Sequence, residues 1–300
     1  MNTLNQQYGI ANTLAFTLGK GDMPVAKISN DLGSASIALQ GAHILSFQPK
    51  GEDDLIWMSD DASYATQKSL RGGVPVCWPW FGPHVTEKTL PAHGYARTVN
   101  WKPIASKALD DGSTYLCFEL DHTNVAENLQ VHPLQVTLHI TVGSRLQLRL
   151  ETKNCGGSAY QLSEAMHTYF KVGDVRQVRV EGLDGREYLD KTDHFSRKQQ
   201  QGDVCIEQET DRVYLNTSGQ LRICDAALHR TLVIDSEQSH ATIVWNPWIE
   251  TANKMGDLGK DGYLQMLCVE TANAAENTIS LAGGETHQMS CTYSVEKHAR

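Results

Sequence analysis

Three hundred residues with 40% hydrophobic content suffice for one large β domain or two ordinary ones, so a sizeable core can be buried. A formal charge of −9 argues against nucleic acid or an anionic membrane as a bulk electrostatic partner, and an anionic substrate would need a locally basic pocket. The seven cysteines are far apart and contain no CxxC pair, which speaks against a zinc ribbon or a disulfide framework and for reduced thiols in the cytoplasm.

Taken in chain order, residues 1–24 show no basic cluster followed by an apolar run, and no pattern that assigns them a structure. Strands are expected at 25–28, 35–39 and 43–48. The segment Leu70-Arg71-Gly72-Gly73-Val74-Pro75-Val76-Cys77-Trp78-Pro79-Trp80-Phe81-Gly82-Pro83 is an irregular loop in which three aromatics crowd together. Trp78, Trp80 and Phe81 either stack on a sugar ring or plug the end of the fold. Arg71, before a Gly-Gly pair, has its planar fork available for a phosphate or a hydroxyl pair. Pro91-Ala92-His93-Gly94-Tyr95-Ala96-Arg97 sets an imidazole and a guanidinium near a turn glycine. By itself His93 reads first as a packed or surface residue, and it has no partner at metal-ligand spacing.

Alternation resumes in 115–120, 135–140 and 146–150, which read as half-buried strands, with a helical turn or two at 125–129. A strand is expected over 160–170, with His167 on the face of the small residues Ser163 and Ala165, which leaves room for a ligand. Another is expected at 177–181, whereas 182–203, rich in Asp, Lys and Gln, is uninformative. Thr210-Asp211-Arg212-Val213-Tyr214-Leu215 is an acid-base pair entering a strand, a weak signal because Asp caps turns everywhere. Strands follow at 221–224, 231–235, 241–245, 263–270, 278–281 and 287–295. Glu270 closes the apolar run Met266-Leu267-Cys268-Val269. Either the strand has reached solvent there or a carboxyl is buried with a raised pKa. So many strands imply an all-β fold of two large, mainly antiparallel sheets packed face to face, and with no linker or repeat the expectation is one domain over 1–300.

These segments together resemble the hexose-6-phosphate mutarotase branch of the aldose 1-epimerase family. The resemblance runs in order through Gln40-Gly41-Ala42-His43, Leu70 to Pro83, Pro91 to Arg97, Met166-His167-Thr168-Tyr169-Phe170, Asp211-Arg212-Val213-Tyr214, Trp245-Asn246-Pro247, Met255-Gly256-Asp257 and Cys268-Val269-Glu270-Thr271. It implies a galactose-mutarotase-like β supersandwich with no metal and no organic cofactor. It also implies His167 as general acid, Glu270 as general base, and His93, Asp211 and Arg71 as substrate-holding groups, with Arg71 and Arg97 toward the phosphate.

Mutarotation takes a proton from the anomeric hydroxyl and gives one to the ring oxygen, so an acid and a base on opposite sides of the ring suffice and no cofactor is required. The expected partner is accordingly a hexose 6-phosphate, D-glucose 6-phosphate first, handled by a monomer or weak dimer with no nucleic acid and no membrane. The rivals are a mutarotase of unphosphorylated aldoses and a non-catalytic carbohydrate-binding protein of the same fold. A glycoside hydrolase is disfavoured because it normally uses two carboxylates.

Overall fold

The structure is a computed structural model and describes residues 1–297. Strict alternation builds its larger sheet: in Leu134–Val142 every second residue from Leu134 is buried, and Leu146, Leu148 and Leu150 repeat the pattern in the partner strand Leu146–Asn154. Each such Leu or Ile stabilises the fold by about 1.5–3 kcal/mol. These two strands belong to a nine-stranded antiparallel sheet that also holds Trp101–Ala108, Thr114–Leu120, Val178–Glu181, Val204–Cys205, Gly219–Asp225, Arg230–Glu237 and Thr286–Lys297.

A second sheet of eight strands runs Ser196–Gln199, Glu187–Asp190, Thr210–Leu215, Ala241–Asn246, Met266–Asn273, Glu164–Met166 and Val76–Cys77, with Tyr169–Lys171 also paired to Met266–Asn273. The two sheets meet through inward side chains. Phe170 stands edge-on to Tyr293 at 5.0 Å, and Trp78 Nε1 donates to Thr152 Oγ1 at 3.0 Å. One apolar cluster, from Leu14 to Tyr293, fills the space between them. A four-stranded meander over Leu14–Leu18, Pro24–Ser29, Gly33–Ala38 and His43–Pro49 completes the β structure, together with a short ladder between Tyr160–Leu162 and Ile279–Leu281.

Several boundaries differ from expectation. The single strand expected over 160–170 is three short ones. Its antiparallel partner inserts residues 274–278 between the pairs Leu162↔Ile279 and Glu164↔Asn273, and a tight turn from Thr168 N to Met166 O (2.8 Å) lifts residues 167–168 off the ladder. The strand expected over 263–270 begins with a 3-10 turn, Gly262–Gln265, and continues past Glu270 to Asn273. The helical turn at 125–129 is confined to the 3-10 segment Glu127–Leu129. Residues 1–24 include a helix, Asn2–Tyr8, and the edge strand Leu14–Leu18, while the silent segment 182–203 forms a hairpin at the margin of the eight-stranded sheet. No helix among the described residues is long and apolar enough to cross a membrane.

Candidate active site

Both faces of Met266–Asn273 are covered, since all eight of its residues are buried. Side chains alternate across a strand, so Leu267, Val269 and Thr271 turn to the core while Met266, Cys268, Glu270 and Ala272 take the other face. The register extends that second face sideways: Ile243 lies opposite Glu270, Trp245 opposite Cys268, and Asp211 opposite Trp245. On the other flank Met166↔Thr271 and Tyr169↔Cys268 bracket the lifted pair and bring His167 beside Glu270. The His167 backbone N–H, freed from the ladder, donates to Pro75 O at 2.9 Å.

The result is a cleft of about 280 Å³ lined by Arg71, His93, Arg97, His167, Asp211 and Glu270, all six of the residues singled out in the sequence, together with Lys191, Tyr169, Phe81, Ile243, Trp245, Ser69, Leu70 and Pro75. Larger clefts of about 370, 470 and 670 Å³ lie elsewhere. What distinguishes the smaller one is its unpaired polar atoms. Of seven buried side-chain nitrogen and oxygen atoms without a hydrogen-bond partner among the described residues, three belong here: His167 Nδ1, Asp211 Oδ1 and Glu270 Oε2. None of these three larger clefts is lined by any of the seven residues concerned. Buried polar groups are nearly always satisfied, so three orphans in one cleft mark a place built for polar ligand atoms.

His167 Nε2 lies 3.3 Å from Glu270 Oε1, and Glu270 is only 1% exposed. Burial pushes the Glu270 carboxyl well above its usual range, and the Asp211 carboxylate adds to this while Lys191 and Arg97 oppose it. Burial, then His93 and Arg97, hold the His167 imidazole well below its usual range. Both directions favour the neutral forms. Imidazole with carboxylic acid holds the same number of protons as imidazolium with carboxylate, so the two differ only by a proton moved between neighbours. His167 and Glu270, expected on opposite sides of a sugar ring, therefore stand side by side.

The remaining groups are held from different elements. His93, at φ 67°, accepts the Gly82 N–H on Nδ1 at 3.4 Å, which leaves its proton on Nε2. Burial first, then Arg97 and Lys191, pull its pKa down to about 3, so it acts as a neutral donor. Arg71 donates from Nε to Asp257 Oδ1 and from Nη1 to Tyr169 Oη, both at 3.0 Å, and neither bond uses Nη2. Its loop is pinned by the fully buried His43, whose Nε2 meets Gly72 O at 2.8 Å. At Gly73, φ 73°, a Cβ would collide with that same imidazole, so no other residue fits. Lys191 pairs with Asp211 at 2.6 Å. Arg97 donates to Ala92 O at 3.0 Å and pairs with no carboxylate among the described residues. With Arg71 balanced by Asp257 and Lys191 by Asp211, Arg97 is the surplus cation at the mouth.

Trp78 and Trp80 resolve the open question about the aromatic loop. Both are buried, with their indole N–H groups donating to Thr152 Oγ1 and Pro91 O, so they plug the fold, and of the three only Phe81 reaches the cleft. Lys191 was invisible in its polar segment. Asp257 and Trp245 fall within short strings already noted, Met255-Gly256-Asp257 and Trp245-Asn246-Pro247, but nothing in those strings indicates a role. The trio His167, Cys268 and Glu270 brings nitrogen, sulfur and oxygen donors within 4.8 Å of one another.

The Aldose 1-epimerase family model matches residues 24–294. A protein of Escherichia coli K12 named "Putative glucose-6-phosphate 1-epimerase" is 39% identical over 244 residues, covering 81% of this chain and 80% of its own. A protein of Cenchrus ciliaris with the same name is 34% identical over 84% of this chain and 78% of its own. A solved structure from Salmonella typhimurium, described as a "putative mutarotase (YeaD)", superposes with a TM-score of 0.88 at 32% identity, over 97% of this chain and 96% of that one.

Proposed function

The chain belongs to the aldose 1-epimerase family, and we propose that within it the chain interconverts the α and β anomers of a hexose 6-phosphate, D-glucose 6-phosphate being the first candidate. The observation that carries this reading is the buried His167–Glu270 contact at 3.3 Å in a cleft whose surplus charge is the Arg97 guanidinium.

In the reaction, Glu270 as carboxylate takes the proton from the anomeric hydroxyl while His167 as imidazolium gives one to the ring oxygen. The C1–O5 bond breaks, C1=O forms, and O5 becomes an alcohol. Rotation about C1–C2 presents the other face of the aldehyde. The two proton transfers then run backwards, from Glu270 to the carbonyl oxygen and from O5 to His167. The open-chain stage leaves a neutral imidazole beside a carboxylic acid, the protonation state that burial favours in both residues. The orphaned Asp211 Oδ1 and the His93 Nε2–H are suited to sugar hydroxyls. Arg97, with Arg71 Nη2, suits the phosphate.

This chemistry requires no metal, since two proton transfers are all it needs. Seven unpaired cysteines fit a reducing, cytoplasmic setting. The deciding experiment is anomer exchange measured by NMR on glucose 6-phosphate, free glucose and free galactose. Faster exchange of the phosphate ester is expected. Equal or faster exchange of the free sugars makes the protein a plain aldose mutarotase, and no acceleration of any of them makes it a binding protein.

A further inference from the structure

The proton transfers leave one buried group beside His167 and Glu270 without a task. Cys268 lies on the same strand face as Glu270, two residues away, and its Sγ, a ring nitrogen of His167 and a carboxylate oxygen of Glu270 all lie within 4.8 Å of one another. Imidazole, thiolate and carboxylate are the three side-chain donors that zinc takes. Zinc bonds of about 2.0–2.3 Å set tetrahedral ligands about 3.3–3.8 Å apart. His167 Nε2 and Glu270 Oε1 already stand 3.3 Å apart, and Cys268 Sγ completes a donor set within 4.8 Å. Two buried atoms of the trio, Glu270 Oε2 and His167 Nδ1, have no protein partner. His167 and Glu270 both line the cleft, which gives an ion a path to the trio.

We propose that His167, Cys268 and Glu270 form an inhibitory site for zinc or a similarly thiophilic divalent ion, which blocks anomer exchange by occupying the acid and the base together. The binding half of this proposal stands on the donor geometry alone; the inhibition half rests on the function proposed above. Metal must displace the thiol proton. Occupancy should therefore weaken as pH falls. Magnesium, a hard ion that favours oxygen ligands, should not bind there. The ion is thus an inhibitor of a metal-independent reaction, and EDTA alone should leave exchange intact or raise it.

The test uses the full chain with the exposed Cys155 and Cys205 replaced by Ser, in a buffer free of phosphate, titrated with CoCl2 or ZnCl2 alone. Cobalt should give a thiolate-to-metal absorption band in the near ultraviolet, and that band should vanish in Cys268→Ala, or in Cys268→Ser should the alanine variant not fold. Zinc should slow exchange of glucose 6-phosphate at least 10-fold, reversibly with EDTA. The Cys268 variant should keep the metal-free rate and require at least 10-fold more zinc. A missing cobalt band overturns the site. Equal zinc sensitivity in the parent and the Cys268 variant overturns the inhibition. If the protein has no mutarotase activity at all, the cobalt band still reports the site, so failure of the proposed function is told apart from failure of this proposal.

Discussion

Two buried Glu–His pairs lie on opposite faces of the same sheet. Glu270 meets His167 at 3.3 Å, and Glu164 meets His287 at 3.1 Å. Both carboxyls are essentially inaccessible, both imidazoles are 12% exposed, and each carboxyl has one oxygen without a partner. What differs is the company. Glu164 and His287 share the Asn273 amide, at 3.3 Å from each, and that amide is also held by Gln238 O and touches Met289 Sδ. Glu270 has Asp211, Lys191 and Arg97 acting on it across an open cleft. A buried acid beside an imidazole is therefore not a signature of catalysis in this fold. Cations, a second acid and room for a ligand are what set the two pairs apart.

The comparison breaks most decisively at Glu270 and His167. Glu270→Gln and His167→Ala should each slow anomer exchange by roughly 10²- to 10⁴-fold, the span of a positioned proton-transfer group, while substrate binding measured by calorimetry survives. Near-normal exchange in either folded variant would remove the acid–base assignment and leave a binding protein.

Arg97→Ala comes next. Losing one charge-assisted contact worth about 1.5–3 kcal/mol should raise KM for glucose 6-phosphate by roughly 10- to 100-fold, with much less effect on free glucose. Arg71→Ala is less selective, since Arg71 also orients Tyr169. Equal losses on the phosphorylated and the free sugar in Arg97→Ala, measured at fixed ionic strength, would undo the case for a phosphate ester.

The second pair was not legible in the sequence, and the physical reason is the partner geometry. Glu164 and His287 are far apart in the chain and join only because Thr286–Lys297, in the other sheet, passes beneath Asn273. Glu270 stood out because an acid follows an apolar run, yet its strand was expected to end there, and only the structure reveals three more buried residues. The 135–140 and 146–150 alternation was plain because one face meets the core and the other turns outward. Lys191 had no such contrast. Its hairpin is polar on the outside and sits at a sheet margin, so charge in that segment reads as solvation until the pairing with Asp211 is seen.

Lys191 sharpens the comparison through pH. Its ammonium opposes the rise in the Glu270 pKa, whereas Asp211 promotes it. In Lys191→Met both changes act in one direction: the positive charge is gone and Asp211 is left uncompensated, so Glu270 holds its proton more tightly. In the proposed mechanism the His167–Glu270 pair works with one shared proton and stops when that proton is lost at high pH. The alkaline limb of kcat/KM should therefore move upward. A limb that stays in place or moves down would dissociate Lys191 from the pair.

The smallest effect on turnover is expected at Glu164, where it is the most telling. Glu164→Gln keeps the shape of the side chain and replaces an acceptor oxygen with an amide, which must face either His287 Nε2 or the position of the orphaned Oε2. A buried polar group set against the wrong partner destabilises by about 1–3 kcal/mol, and urea unfolding should register that loss. Anomer exchange per folded molecule should stay within about 2-fold of the parent, because Glu164 projects from the opposite face to His167 and touches no residue of the cleft. A fall in exchange comparable to that of Glu270→Gln, in protein still folded by circular dichroism, would mean that the two pairs are coupled through the sheet. The distinction between a structural and a catalytic Glu–His pair would then fail.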